Sequence, residues 1–189
     1  LEGEPYFRIN GGLMGNLKDR IIRAAKLDPE LYEEVEADKT AMGQAMGVVV
    51  LSSVAAGLGG ITKGLGTIIL GTILALISWY IWAYLTYLIG TKLLPEPQTK
   101  ADPGELLRTI GFSSAPGLIR ILGIIAPLRG IVFIVASVWM LVAMVIAVRV
   151  ALDYQSTMRA VGVCLIGWII QAIVFAMLLA VFVGMSRPA

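Results

Sequence analysis

Four stretches of this chain, residues 41–61, 67–90, 130–148 and 161–184, run about twenty residues each without a single charged side chain. A helix of that length crosses the roughly 30 Å hydrocarbon core of a bilayer, where backbone polar groups must be satisfied within the segment itself. Each run is therefore expected to be a spanning helix. With 58% hydrophobic and 15% charged residues over 189 positions, the chain holds more apolar surface than a soluble domain of this size can bury. The expected fold class is all-α, a polytopic transmembrane helical bundle.

A fifth stretch, 106–127, is long enough to span but is interrupted by Arg108, Ser113, Ser114, Pro116 and Arg120. Its composition predicts two helical halves joined at 112–116, buried so that the freed backbone groups find partners. Five spans follow, or four if this segment is interfacial or re-entrant. Either count leaves the N-terminus in the cytoplasm by the distribution of Lys and Arg.

The charge is uneven. Residues 1–40 hold six Lys/Arg and nine Asp/Glu, whereas the four acidic residues that follow, Glu96, Asp102, Glu105 and Asp153, all fall in connections. Two domains are therefore read: a cytoplasmic N-terminal segment, 1–40, and a transmembrane domain, 41–186. Residues 1–15, rich in Gly, form a loose tail, and no secretory signal precedes the first apolar run. Residues 16–26 form a short basic amphipathic helix whose Arg20, Arg23 and Lys26 suit lipid headgroups. Asp28-Pro29-Glu30 starts a second, acidic helix; it is either a solvated face or a docking surface for a basic partner. Asp102 with Glu105 forms a capping box, and Arg149 with Asp153 stands at i, i+4.

Catalysis has little to work with. There is no histidine and one cysteine, Cys164, so imidazole ligands, an internal disulfide and multi-cysteine metal sites are excluded, and no carboxylate within a span can carry a coupling ion. No enzyme, no cofactor and no nucleic-acid partner are expected. Packing signals are plentiful: Gly43 and Gly47 on the first span, Ala143 and Ala147 on the fourth, and Ala172, Ala176, Ala180 and Gly184 on the fifth. These serve either internal packing or contact with other membrane proteins or a second copy. Trp79, Tyr80, Trp82, Tyr84 and Tyr87 form an expected interfacial belt. Without acids nearby, Arg120 and Arg129 are expected to meet lipid phosphates or helix C-terminal carbonyls.

Three segments carry a family likeness: Leu27-Asp28-Pro29-Glu30-Leu31-Tyr32-Glu33-Glu34-Val35-Glu36, Leu107-Arg108-Thr109-Ile110-Gly111-Phe112-Ser113-Ser114-Ala115-Pro116-Gly117, and Ala160-Val161-Gly162-Val163-Cys164-Leu165. Together with the glycine-rich first span they resemble the bacterial branch of the Yip domain family, integral membrane proteins similar to eukaryotic Ypt/Rab-interacting proteins. The resemblance implies five spans in a bacterial inner membrane, a cytoplasmic N-terminus, an exterior C-terminus and no catalytic residue. Function is then expected to be that of a non-enzymatic membrane scaffold or adaptor organising partner proteins or lipid. The alternatives are an accessory subunit of a larger respiratory, photosynthetic or transport complex, without its own cofactor, and a small-solute permease.

Overall fold

Local chemistry sets the helix boundaries in a computed structural model that describes residues 16–60 and 64–185, with Phe175 and residues 178–185 as backbone only. The expected loose tail (1–15), the hairpin tip at 61–63, and the side chains of Ala180 and Gly184 lie outside the described residues. Asn16 accepts from the Lys18 N–H (3.1 Å) and opens α1, Leu17–Ala25. Asp28 accepts from the Glu30 N–H (3.1 Å), with Pro29 in the first helical position, and opens α2, Pro29–Ala37. Leu27 between them takes a left-handed φ of 62°, which lets the Asp28 N–H reach the Arg23 carbonyl at 3.1 Å and close α1. The remaining helices are α3 (Met42–Gly59), α4 (Leu65–Leu88), α5 (Pro103–Phe112), α6 (Arg129–Ala151) and α7 (Thr157–Met185). A π turn, Ile89–Leu93, ends α4, and a 3₁₀ helix, Ala115–Ile124, follows α5. No strand occurs among the described residues.

Among the described residues, four helical stretches are long and apolar enough to cross a membrane: Lys39–Gly59, Leu65–Leu93, Ala126–Ala151 and Thr157–Val174. The 106–127 segment breaks where its serines and proline place the break. The capping box forms in full, with Asp102 accepting from Gly104 and Glu105 while Glu105 accepts from Asp102. Ser113 then donates to the Ile110 carbonyl at 2.7 Å, and Pro116 sits in the first turn of the 3₁₀ helix. The two halves follow α3 in parallel, glycine by glycine. A β-carbon at Gly111 would stand 2.8 Å from Ala45 Cβ, one at Gly117 would strike Ser52 Oγ, and one at Gly123 would stand 2.6 Å from the Gly59 carbonyl oxygen. Close backbone approach thus requires glycine on the broken segment. Gly43 and Gly47 of α3, expected in internal packing or in partner contact, take no part in internal packing: an added β-carbon at either meets nothing within 4 Å. The cause is simple: α3 turns its Ala45, Val48, Ser52 and Ala55 face to its neighbours, and the two glycines fall off that face.

The segment before Ala41 does not stand apart from the helices that follow. Ala24, Leu31, Tyr32 and Val35 are fully buried in one cluster with Ala41, Ala45, Val48, Phe112 and Ala147. Arg108 of α5, 4% exposed, is the clamp. Its Nε donates to the Val35 carbonyl (2.8 Å) and its Nη2 to the Glu36 carbonyl, satisfying the last turn of α2 with a cation where the helix dipole is negative. A second cluster, around Trp82, Ile89, Leu106, Val148, Leu152 and Val163, joins the nearby ends of α4 to α7. Toward the other end burial fades. The buried residues of α4 are Trp82, Ala83 and Thr86, all in its last two turns, while Leu65, Ile69, Ile73 and Ile77 stay exposed.

Replacing Arg108 by Ala strips two α2 carbonyls of a charged donor, at a cost of about 3 kcal/mol. The expected result is a lower unfolding midpoint in detergent together with faster tryptic cleavage at Lys26 and Lys39; an unchanged cleavage rate would refute the clamp.

Candidate functional site

Two polar constructions occupy this mostly apolar molecule, one at the α1–α2 cap and one at mid-length of the long helices. In the cap, Arg20 is 4% exposed and its guanidinium is used up: Nε donates to Glu34 (2.9 Å), Nη1 to Gln44 (2.9 Å) and Nη2 to Asp38 (2.8 Å). Arg23 bonds Asp28 (2.8 Å) and Glu34 (2.6 Å). Both arginines were expected at lipid headgroups. The structure turns them inward because α2 folds back across α1 and presents its carboxylates there; Lys26 alone of the three is exposed. The acidic helix is accordingly neither wholly solvated nor wholly a docking face, since Glu34 and Asp38 are internal counter-ions while Glu30 and Glu33 remain exposed.

These contacts set the charges. The Arg23 guanidinium holds Asp28 below the usual carboxylate range, and the Thr40 hydroxyl, then Arg20, does the same for Asp38. Glu36 is moved the other way: burial, then repulsion from Glu105 and Asp153, pushes it up to about 7 against the pull of Arg108. At the end of α6 the expected Arg149–Asp153 pair is absent. Arg149 Nε donates instead to the Tyr154 carbonyl (3.2 Å), because Asp153 takes a left-handed φ of 54° that closes the helix and swings its side chain off the helical i, i+4 register.

The second construction is a cavity of ≈ 320 Å³ into which all the long passages contribute: Ser52 from α3, Ser78 and Trp82 from α4, Ser114 and Arg120 from the broken segment, Met140 from α6, and Trp168 and Gln171 from α7. An apolar cleft of ≈ 480 Å³ between α4 and α7 shares Ser78, Trp82 and Gln171 with it as lining. Arg120 Nη2 donates to Ser137 Oγ (3.2 Å), and its guanidinium carbon lies 5.7 Å from the centre of the Phe133 ring. Arg120 Nε and Trp82 Nε1 are both buried without a hydrogen-bond partner.

Several expectations are resolved by this arrangement. Arg129 meets helix C-terminal carbonyls, its Nε donating to Gly59 (3.2 Å) and Gly123 (3.1 Å), and so ties the ends of α3 and the 3₁₀ helix together. Arg120 meets neither a carboxylate nor such a carbonyl; it takes a hydroxyl and a ring. The aromatic belt divides. Tyr80 and Tyr84 are exposed and Tyr87 half-buried, with the Tyr84 and Tyr87 rings 6.1 Å apart. Trp79 and Trp82 leave the belt for the interior, where Trp79 donates to the Leu107 carbonyl (3.1 Å) and Trp82 packs against Gly167. The i, i+3 spacing puts both indoles on the Ala83–Thr86 face that α4 buries. On α6, Ala143 and Ala147 are buried against neighbours; on α7, Ala172 and Ala176 are exposed. The cavity itself was missed in the sequence. Its signal was there: a polar residue near the middle of several apolar runs, Ser52 and Ser53, Ser78, and Gln171.

The cap should have an unusual pH profile. Asp28 and Asp38, depressed when folded, contribute stability that is present above about pH 4 and lost as pH falls through their folded values. Glu36, raised when folded, contributes stability that is present below its ordinary 4.5 and lost as pH rises through about 7. Thermal unfolding in detergent should therefore be slowest near pH 4 to 5, and Glu36→Gln should flatten the neutral limb while leaving the acid limb intact. A neutral limb unchanged in that variant would contradict the assignment. Compared with protein-family models, curated proteins and solved structures, the chain has no match.

Proposed function

We propose that this chain is a non-enzymatic membrane scaffold of the Yip type, crossing a bacterial inner membrane five times with its N-terminus in the cytoplasm and organising partner proteins or lipid. The observation that carries the proposal is the uncovered face of α7. Ala172 and Ala176 stand exposed one turn apart, flanked by exposed Ile169, Ile173 and Met177, and among the described residues no other helix lies over them. Small side chains at that spacing let another helix approach closely, which is where association in lipid gains its van der Waals energy. The internal ladder of α6, by contrast, is already spent on neighbours within the chain.

The fifth crossing is supported by reach. Ten residues of α-helix and ten of 3₁₀ helix extend together about 35 Å, enough for the hydrocarbon core. Their parallel course along α3 keeps the broken backbone among protein neighbours, the condition under which irregular backbone is tolerated at that depth.

Purification in mild detergent from native expression levels, followed by mass spectrometry of the intact assembly, tests the proposal. A partner protein or a second copy is expected to be retained by the parent chain and lost from the Ala172→Leu/Ala176→Leu double variant, with the unfolding midpoint unchanged. Retention by that variant would remove the α7 face from consideration. A stoichiometric redox or pigment complex would favour the accessory-subunit reading, and solute flux in liposomes holding only this chain would overturn both in favour of a permease.

A further inference from the structure

A glutamine facing hydrocarbon is unfavourable unless its amide is bonded, because lipid tails offer neither donor nor acceptor. Gln171 stands at the centre of α7, Thr157–Met185, and Ser78 within a residue of the centre of the Leu65–Leu93 passage. Both are exposed, and among the described residues neither side chain forms a hydrogen bond. Both line the α4–α7 cleft of ≈ 480 Å³. Tyr80, Ile81, Tyr84 and Val174, which also line it, are exposed, so the cleft opens on the flank of two membrane-length helices, where lipid rather than water is the neighbour. The missing hydrogen-bond partner therefore has to come from the bilayer.

Charge, depth and shape narrow what that molecule is. No charged side chain lines the cleft, so a phosphate or carboxylate would sit at mid-depth without a counter-ion. The head is uncharged. A phospholipid tail would fill the groove yet leave the Ser78 hydroxyl and the Gln171 amide unbonded, and a helix of a second copy, about 10 Å across, would fill the whole volume with a single turn. What the two side chains share is a polar donor, the Ser78 O–H and the Gln171 N–H, and donors suit carbonyl oxygens. Around them the wall is part aromatic, from Tyr80, Trp82 and Tyr84, and otherwise aliphatic, as at Leu85, Leu88 and Ile170. Such a wall fits a flat ring that carries a hydrocarbon tail.

We propose that the α4–α7 cleft binds an isoprenoid quinone, its ring carbonyls accepting from Gln171 Nε2 and Ser78 Oγ and its tail leaving along the groove into the bilayer. This goes beyond the scaffold reading and rests on other residues, so Ala172→Leu/Ala176→Leu leaves it intact. Trp82 lines the cleft and reports occupancy through quenching of its emission. The full chain in a neutral detergent is titrated with decylubiquinone, alone and in competition with dodecylbenzene, which keeps a ring and a chain but has no carbonyl. Saturable quenching is expected, and dodecylbenzene at equal concentration should leave it in place. Gln171→Leu should weaken quinone binding about tenfold and Ser78→Ala several-fold, as each removes one donor. Neither should lower the unfolding midpoint, since neither side chain is bonded within the chain. Quenching that rises linearly without saturating, equal displacement by dodecylbenzene, or an affinity unchanged in Gln171→Leu each overturns the proposal. A Gln171→Leu chain that no longer folds would show the amide to be used inside the bundle, which overturns it as well.

Discussion

A guanidinium cannot be neutralised by losing its proton under any condition a cell meets, so an arginine placed among apolar helices has to be bonded by whatever acceptors the fold brings to it. This chain keeps carboxylates out of its long helices, and much of its architecture follows from how each arginine is then satisfied. Arg108 takes the carbonyls that end α2, and this fastens the cap to α5. Arg129 takes the carbonyls that end α3 and the 3₁₀ helix, and this fastens those two ends to the start of α6. Arginines find ion pairs in the cap, where α2 and its ends supply acids, and in the connection where Arg159 meets Glu96. Arg120 is the exception to both patterns, taking the Ser137 hydroxyl and the face of the Phe133 ring.

The same rule explains where the molecule is dense and where it is open. Arginine–carbonyl ties and close glycine contacts draw α3, α5, the 3₁₀ helix and α6 together. Among the described residues nothing of the kind links the first half of α4 to Ile169–Met177 of α7, and Leu65, Ile69, Ile73, Ile169, Ile173 and Met177 stay uncovered. In water such a surface would drive collapse; in lipid it costs nothing, because hydrocarbon tails are as apolar as leucine. Helices can therefore diverge and leave a lateral trough without loss.

Much of the fold was legible in the sequence for reasons of length and local chemistry. The four long helices follow from uninterrupted apolar runs, the α2 and α5 starts from Asp28-Pro29 and from Asp102 with Glu105, and the break near Ser113–Pro116 from the missing N–H of proline. What was not legible depended on rotation about a helix axis. Apolar residues surround α3, α4 and α7 on every side, so no polar stripe reveals which face turns inward. That is why Gly43 and Gly47 looked like a packing pair, why Trp79 and Trp82 looked like belt residues, and why the convergence of Ser52, Ser78, Ser114 and Gln171 on Arg120 went unseen. Arg20 was misplaced for a different reason: an amphipathic helix reads the same whether its basic side meets lipid headgroups or the carboxylates of the next helix along.

The winding of the segment Ala115–Ile124 has a geometric consequence of its own. At three residues per turn, Gly117, Arg120 and Gly123 are eclipsed on one edge, so the arginine rises between two glycines whose bare backbones press against α3 and α6. Rewound as an α-helix, the same ten residues would be shorter by about 5 Å and successive members of that edge would be offset by about 60°. The tight winding is thus what aims a lone cation along the seam between two neighbours, and its length and its aim are coupled in a single variable.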